Sequence, residues 1–388
     1  MLFDNFFTED HFDIREVARD FAEKSLAPVA LEIDKTEHFP EDIVDTMVEI
    51  GFLGIKIPEE YGGVGMDMRS YVSVMEEVAR KCATATLYIS SANSLSSAPI
   101  LLFGTEEQKQ KYLPGIVDNT APIAFGLTEP GAGSDAASLS TKAVEDGDSY
   151  ILNGRKTFIT FAPKAKYTSI FAKTSPEKGV KGITCFMVDM DTPGVSLGKP
   201  EEKMGQRGVP VSDIILEDVR VPKDCILGKV DEGFINAMKT LDLGRIGVAA
   251  MSIGIAQEAM DLAVAHVKER VQFGKPLAKQ EAIRFMLADM EAKLNAARLL
   301  TYQAAYMIDQ KKSLADRDDA ATKFASMAKY TAAEYAKEIV DKSLQLHGGY
   351  GYSQEYEIEK LYRDVRINSI YEGSSQVQQI VIAGQLLG

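Results

Sequence analysis

One carboxylate near the C-terminus lies in surroundings that could adapt it to chemistry. Glu372 follows Ile370 and Tyr371 and precedes a Gly-Ser-Ser run. Burial among apolar neighbours raises the pKa of a carboxyl group and suits it to proton abstraction. An isolated Glu is more often a solvated surface group. The residues alone therefore do not single out Glu372 among the 57 acidic residues of the chain.

The stretch from Gly131 to Ala136 could contact a phosphate or a cofactor. It reads Gly-Ala-Gly-Ser-Asp-Ala and matches the relaxed dinucleotide fingerprint G-x-G-x-x-A. That fingerprint needs a strand directly before it and a helix opening from it. Here Thr128-Glu129-Pro130 precedes it and strand-like sequence follows. A Rossmann site is not favoured, whereas a plain turn and a loop whose backbone N–H groups bind an anion or a flavin both remain open.

Two further clusters interrupt long helical stretches. The segment His347–Tyr352 contains three glycines and two tyrosines. It is either a helix C-cap with a turn or a close approach to a ligand. The segment Arg270–Pro276 ends another helical stretch. Its arginine is either a solvated charge that complements the helix dipole or a phosphate-binding group.

Three zones of different composition position these residues and predict an α+β multidomain fold. Residues 1–120 show helical spacing of apolar residues and predict an all-α domain. Residues 121–230 contain eight of the fourteen prolines and alternating strand-like runs, with Asn153-Gly154 as a hairpin-turn signal. Because no helical segments are interleaved, they predict an antiparallel β-barrel or sandwich domain. Residues 231–388 predict a bundle of long helices, over Phe234 to Val271, Glu281 to Lys311 and Asp318 to Leu346.

Composition excludes several classes of function. The 43 basic and 57 acidic residues give a net charge of −14, which argues against broad nucleic-acid binding. The three cysteines are far apart and the four histidines show no paired spacing, so neither a disulfide framework nor a metal site is expected. The acidic N-terminus builds no signal-peptide core, and no apolar run reaches the roughly 18 residues of a membrane helix. We therefore expect a cytoplasmic protein without membrane insertion.

Six motifs, in order along essentially the whole chain, resemble the acyl-CoA dehydrogenase family. The resemblance is nearest to its short-chain, butyryl-type members. The motifs are FGLTEPGAGSDA (Phe125–Ala136), TFIT (Thr157–Thr160), LDLGRIGVAA (Leu241–Ala250), RVQFGKP (Arg270–Pro276), LQLHGGYGY (Leu344–Tyr352) and IYEGSSQVQ (Ile370–Gln378).

The resemblance implies a fold and an activity. The family fold is an N-terminal helical domain, a middle β domain and a C-terminal four-helix bundle, in a homotetramer. The implied reaction is FAD-dependent α,β-dehydrogenation of an acyl-CoA thioester, with electrons passed to an electron-transferring flavoprotein. Alternatives on the same fold are an enoyl-CoA reductase, an acyl-CoA oxidase or a non-catalytic flavin-bearing scaffold. The acyl group itself, linear, branched or cyclic, is left open.

The resemblance also assigns residues to the cofactor. Some of them would contact the FAD of a neighbouring subunit, namely Arg270, Phe273 and the segment from Gln345 to Gly349. The full set of residues matching FAD-binding positions is Phe125, Leu127, Thr128, Gly133, Ser134, Phe158, Ile159, Thr160, Arg270, Gln272, Phe273, Gln345, Gly348, Gly349, Ser374 and Gln376.

Substrate and catalytic positions carry over in the same way. Glu372 matches the base that removes the α-proton, and its backbone N–H matches a donor to the thioester oxygen. Some family members carry the base on the bundle helix instead, at a position that is Gly244 here. Residues matching substrate-binding positions are Ser134, Asp242, Arg245, Ser91, Tyr371 and Gly373.

The chain departs from the family pattern at two places. Phe161-Ala162-Pro163-Lys164 replaces the usual Asn-Gly, which leaves the flavin surroundings and the docking surface for an electron acceptor open. Glu281 stands where the family has a Gln that contacts FAD, with Gln280 shifted by one position, so this contact is left open.

Overall fold

The computed structural model describes residues 7–311 and 319–387. The predicted domain limits at residues 1 and 388 and the predicted helix start at 318 lie outside these residues. The N-terminal part of the chain is helical, as predicted. Its α-helices are α1 (Glu9–Phe21), α2 (Ala30–Thr36), α3 (Glu41–Glu49), α4 (Met68–Lys81), α5 (Ala83–Ser90), α6 (Ala98–Phe103) and α7 (Glu106–Val117), with a π-helical segment at Ser91–Ser96.

The middle part forms one curled sheet of seven strands. They are β1 (Ile123–Gly126), β2 (Lys142–Asp146), β3 (Ser149–Thr160), β4 (Tyr167–Lys173), β5 (Ile183–Asp189), β6 (Val195–Leu197) and β7 (Val211–Pro222). Their order is β1-β4-β2-β3-β7-β6, with β5 also on β4. Most pairs are antiparallel, as predicted, but β4 runs parallel to β1 and to β2. Apolar alternation does not encode strand direction, so the sequence did not reveal these two pairings.

The prediction of a hairpin turn at Asn153-Gly154 is wrong. Both residues lie inside β3, where the register against β7 shifts between Leu152 and Gly154. The turn between β2 and β3 occurs earlier, at Gly147, whose φ is 61°. A Cβ on Gly154 would lie 2.4 Å from Thr141 Oγ1, so this glycine permits a close approach rather than a turn.

The C-terminal part is a bundle of long helices. It comprises α8 (Gly233–Glu269), α9 (Glu281–Asp309), α10 (Asp319–His347), α11 (Glu357–Val365) and α12 (Ser375–Leu387). Helix α10 packs against α8, α9 and α12. Between α8 and α9, strands β8 (Val271–Gln272) and β9 (Lys275–Pro276) form a small hairpin. The segment after Arg270 is thus a hairpin rather than a simple helix cap.

Helix α8 is the central element of the molecule. Its mean hydropathy reaches 1.3 over 18 residues, which by length and composition alone would allow a membrane span, although no uninterrupted apolar run in it is that long. Because 72% of that window is buried inside the protein, its hydropathy is that of a core helix. Helix α8 contacts α4 as well as α9 and α10, so the N-terminal helices and the bundle share one hydrophobic core. The sheet has a separate core.

Candidate functional site

A cavity of about 620 Å³ lies where the three parts of the chain meet. The helical N-terminal part, the sheet and the bundle each contribute to its wall. Predicted site residues that line it are Ser91, Phe125, Leu127, Thr128, Gly133, Ser134, Phe158, Ile159, Thr160, Arg245, Tyr371, Glu372 and Gly373. The fold therefore brings together residues that are far apart in sequence.

Glu372 is one of the carboxylates that line this cavity, beside Asp135, Glu201 and Glu202. It lies before α12 with a φ of 51°, in the left-handed region that non-glycine residues rarely occupy. Its Oε2 atom is buried and has no hydrogen-bond partner among the described residues. Burial raises the pKa of Glu372 to about 7, against the opposing charges of Lys329 and Arg245. Near neutral pH the group can therefore take up or release a proton.

Gly244 on α8 provides the space that this carboxylate occupies. A Cβ at position 244 would lie 2.1 Å from Glu372 Oε2. Atoms cannot approach so closely without displacement, so any side chain here would push the carboxylate away. The space that a side chain at position 244 would need is thus occupied, in this chain, by the carboxylate of Glu372.

The turn that carries Glu372 is held from the bundle side. The Lys329 Nζ donates to the Gly373 carbonyl at 2.7 Å. The Gln378 Nε2 donates to the same oxygen at 2.9 Å and to the Glu372 carbonyl at 3.3 Å. Lys329 is fully buried on α10 and was missed in the sequence. Its spacing of four residues from the buried Ala325 and Ala333 was the available signal, since it places a lysine on the apolar face of a helix.

Arg245 is a second charged group at the cavity wall. One guanidinium nitrogen, Nη1, donates to Asp242 and, at 3.3 Å, to Ser326 Oγ. The Nε atom is buried and has no partner among the described residues. A buried donor without a partner is costly, and a substrate oxygen would satisfy it. Asp242, predicted to bind substrate, does not line the cavity and instead pairs with Arg245.

The loop on the sheet side of the cavity is anchored by a buried ion pair. The Lys156 Nζ donates to Glu129 Oε1 at 2.8 Å and to the carbonyls of Leu127 at 3.2 Å and Phe171 at 2.6 Å. The Thr157 N–H donates to the Thr128 carbonyl at 2.9 Å. These bonds fix the backbone of the predicted cofactor loop. Glu129 and Lys156 were not singled out in the sequence, because one-dimensional spacing does not show that they pair.

The same loop forms a turn rather than a dinucleotide-binding unit. A single bridge joins Glu129 to Ala132, and a three-residue 3-10 turn (Ala136–Ser138) is followed, three residues later, by β2. The glycines are not followed directly by an α-helix, and this agrees with the strand-like sequence that was noted after them. A Cβ on Gly131 or Gly133 would meet nothing within 4 Å, so the surface in front of the loop is open.

Several predicted site residues lie outside the cavity of their own chain. Arg270 stacks its guanidinium over the ring of Tyr350 at 5.4 Å, at a corner formed by the β8–β9 hairpin and the end of α10. Phe273 is 94% exposed at the tip of this hairpin. The other residues of this corner are Gln272, Gln345, Gly348 and Gly349, all exposed. We call these six predicted residues the Arg270 corner.

Three remaining positions lie at helix starts. Ser374 directly precedes α12, and its Oγ accepts from the Val377 N–H at 3.4 Å. Gln376 is exposed in the first turn of α12. Glu281 begins α9 and is exposed. None of these three residues lines the cavity.

Comparisons with known proteins agree with this architecture. Family models for the N-terminal, middle and C-terminal domains of acyl-CoA dehydrogenases match residues 8–120, 124–219 and 231–387. The chain belongs to the acyl-CoA dehydrogenase family. The resemblance and the fold class inferred from the sequence are thereby confirmed.

Individual relatives match over nearly their whole length. A 3-(aryl)acrylate reductase of Clostridium sporogenes is 58% identical over 98% of this chain and 100% of its own. The caffeyl-CoA reductase-Etf complex subunit CarC of Acetobacterium woodii is 55% identical over 98% of this chain and 99% of its own. The solved butyryl-CoA dehydrogenase of Megasphaera elsdenii is 42% identical, with a TM-score of 0.94 over 99% of this chain and 100% of its own.

Acyl-CoA dehydrogenases are FAD-dependent oxidoreductases, and the cavity suits that cofactor. The open glycine loop offers backbone N–H groups, while Thr128 and Thr160 contribute hydroxyls to the wall. Phe158 is 65% exposed at a φ of 57°, so an apolar surface is available to an aromatic ring system. The residues present therefore fit a flavin.

Proposed function

We propose that this acyl-CoA dehydrogenase family member works as a reductase of 3-aryl-2-enoyl-CoA thioesters. The observation that carries the chemistry is the buried, unpartnered Oε2 of Glu372 at the wall of a cavity suited to FAD. The direction is supported by the relatives at 58% and 55% identity, both named reductases.

In this proposal Glu372 transfers the proton at C2 of the thioester. A pKa near 7 lets the carboxyl group give up a proton in the reductive direction and accept one in the reverse direction. Bound flavin would donate a hydride to C3 in its reduced form and, in the reverse direction, would accept one in its oxidised form. The unpartnered Nε of Arg245 is available to an oxygen of the CoA thioester.

The cavity wall supports an aromatic acyl group. Apolar side chains from α5, the π-helical segment and α8 line it, and Ser90 and Ser91 leave space between them. A phenyl ring gains burial free energy in such surroundings, in proportion to the apolar area removed from water. The apolar lining residues on these elements are Leu87, Leu95, Phe234, Met238 and Leu241.

Dehydrogenation of a short-chain acyl-CoA is the second candidate. It is favoured by the likeness to butyryl-CoA dehydrogenase over the whole chain. The two candidates use the same carboxylate and differ in direction and acyl group.

A panel of thioesters separates them. We expect the photoreduced holoenzyme to reduce 3-phenylacrylyl-CoA with a kcat/KM at least about tenfold above that for 2-butenoyl-CoA, since an extra apolar ring is worth several methylene groups. Anaerobic stopped-flow absorbance of the flavin measures both reactions. A higher kcat/KM for 2-butenoyl-CoA would favour the short-chain alternative.

We further propose an assembly and a redox partner. The Arg270 corner exposes an arginine and the ring of Phe273 away from the cavity of its own chain, which suits contact with the FAD of a second copy in a homotetramer. The relative at 55% identity is named as a subunit of an Etf complex, which supports electron exchange with an electron-transferring flavoprotein. A cytoplasmic location belongs to the same proposal.

Replacing Arg270 by Ala tests this assembly. Loss of a charged hydrogen bond costs about 1.5–3 kcal/mol, so FAD affinity should fall about tenfold to a hundredfold. Fluorescence titration of apoprotein with FAD measures the change. Arg220→Ala, which removes a surface arginine paired with Asp146 on the sheet, is the matched control and should bind FAD normally. Unchanged FAD affinity in Arg270→Ala, or a flavin-loaded monomer by light scattering, would contradict the proposal.

A further inference from the structure

A buried lysine stands beside the carboxylate that we propose as the acid and base. Lys329 is fully buried, and its bond to the Gly373 carbonyl ties α10 to the residue that follows Glu372. A buried ammonium is costly unless an opposite charge compensates it. Among the described residues Lys329 forms no ion pair, and the negative charge that acts on it most strongly is the carboxylate of Glu372.

Arg245 differs from Lys329 in this respect. Both cations act on Glu372, one from α8 and one from α10. Arg245 is ion-paired with Asp242, which offsets its charge. The charge of Lys329 is therefore the less compensated of the two.

We propose that Lys329 is a positioning residue for the reaction: it holds the Glu372–Gly373 turn from inside the bundle and supplies the positive charge that lets the buried Glu372 carboxylate ionise. This inference rests on the proposed role of Glu372. Gln378 also helps to hold this turn, because it donates to the same Gly373 carbonyl, but its side chain carries no charge. Substituting one residue or the other therefore distinguishes the loss of a hydrogen bond that holds the Glu372–Gly373 turn from the loss of a positive charge beside it.

Other titratable and charged groups also lie near Lys329 and Glu372. Lys329 is influenced by Glu372, by Arg245 on α8, and by Glu334 and Lys337 on its own helix, and burial lowers the pKa of Lys329 to about 8. The buried hydroxyls of Tyr71 on α4 and of Tyr371 also lie near Glu372, and burial holds the pKa of both far above neutrality. Neither phenol titrates near neutral pH.

The sign of the effect follows from the charges. Exchange of the C2 hydrogens requires the ionised carboxylate, so its rate rises with pH through the pKa of Glu372. A neighbouring positive charge lowers the pKa of a carboxyl group by about 1–3 units. Removing Lys329 should therefore raise the midpoint.

The test uses the holoenzyme and 3,3-dimethylbutanoyl-CoA, a thioester that has hydrogens on C2 and none on C3. Mass spectrometry follows deuterium uptake at C2 as a function of pD. In Lys329→Met we expect the midpoint to move up by about one unit or more, while Lys329→Arg, which keeps a charge, restores it. In Gln378→Met we expect a slower rate with an unchanged midpoint. An unchanged midpoint in Lys329→Met, or an equal shift in Gln378→Met, would overturn the inference.

Thermal unfolding provides a readout that does not depend on turnover. Lys329→Met should lower the Tm because it leaves the buried carboxylate with only one of its two neighbouring positive charges, that of Arg245. Adding Glu372→Gln should restore part of that loss, even if the single variant folds poorly. No restoration in the double variant would contradict the coupling. Failure of Glu372 itself as the proton-transfer group would show differently, as wild-type exchange in Glu372→Gln.

Discussion

The variant Glu372→Gln is expected to fold, retain FAD and bind acyl-CoA, while its flavin reacts with the thioester at least about 10²- to 10⁴-fold more slowly than in the wild type. The amide keeps the shape of the side chain and the backbone N–H of residue 372. It removes the group that takes up and releases the proton. Anaerobic stopped-flow absorbance of the flavin, in either direction, measures the loss.

The matched control is Glu338→Gln on α10. Glu338 is a carboxylate paired with Lys293 and Lys342 away from the cavity, so its loss should leave the flavin reaction at the wild-type rate. A near-wild-type rate in Glu372→Gln would remove this residue from the mechanism.

Replacing Gly244 by Ala is expected to cost about a hundredfold in the same reaction, although the substitution adds a single methyl group. The new Cβ would lie 2.1 Å from Glu372 Oε2, and the carboxylate is the part of the contact that can move. Displacement of a reacting group by about 1 Å can reduce a rate by about 10²-fold. Single-turnover kinetics measure the effect.

Stability separates this displacement from unfolding. Alanine is favoured over glycine inside a helix by about 1 kcal/mol, so the Tm of Gly244→Ala should not fall greatly. Gly384→Ala on α12 is the matched control, because a Cβ there meets nothing within 4 Å. It should react normally. A normal rate in Gly244→Ala would mean that the carboxylate does not need its present position.

The sequence predicted the helical parts of the fold well because their signal is local. The expected helix from Phe234 to Val271 corresponds to α8 (Gly233–Glu269), and that from Glu281 to Lys311 corresponds to α9 (Glu281–Asp309). Periodic apolar residues report which face of a helix is buried, whatever it packs against. Strand direction and the role of Gly154 depend on distant partners, so the sequence predicted the β content and missed the parallel pairings and the register shift before Gly154.

Prediction of the candidate site from the sequence is limited for the same reason, because its residues depend on distant partners. Glu372 was no more than one of many carboxylates until the family motif singled it out, because its burial depends on the glycine at position 244 and on elements from all three parts of the chain. Lys329 was missed for a related reason. A lysine between alanines on a helix is common. Its role is visible only in the folded protein, where Lys329 donates to the Gly373 carbonyl in the turn after Glu372. The roles assigned to individual residues by resemblance stay predictions.

Hydrogen exchange at C2 tests the central claim, that Glu372 moves the proton, most directly. The oxidised holoenzyme is incubated in D₂O with 3,3-dimethylbutanoyl-CoA, which has no hydrogen on C3 to transfer, and deuterium in the thioester is measured by mass spectrometry. We expect rapid uptake at C2 with the wild type and with Glu338→Gln, and uptake no faster than without enzyme in Glu372→Gln. Equal uptake in Glu372→Gln and the wild type would contradict the claim.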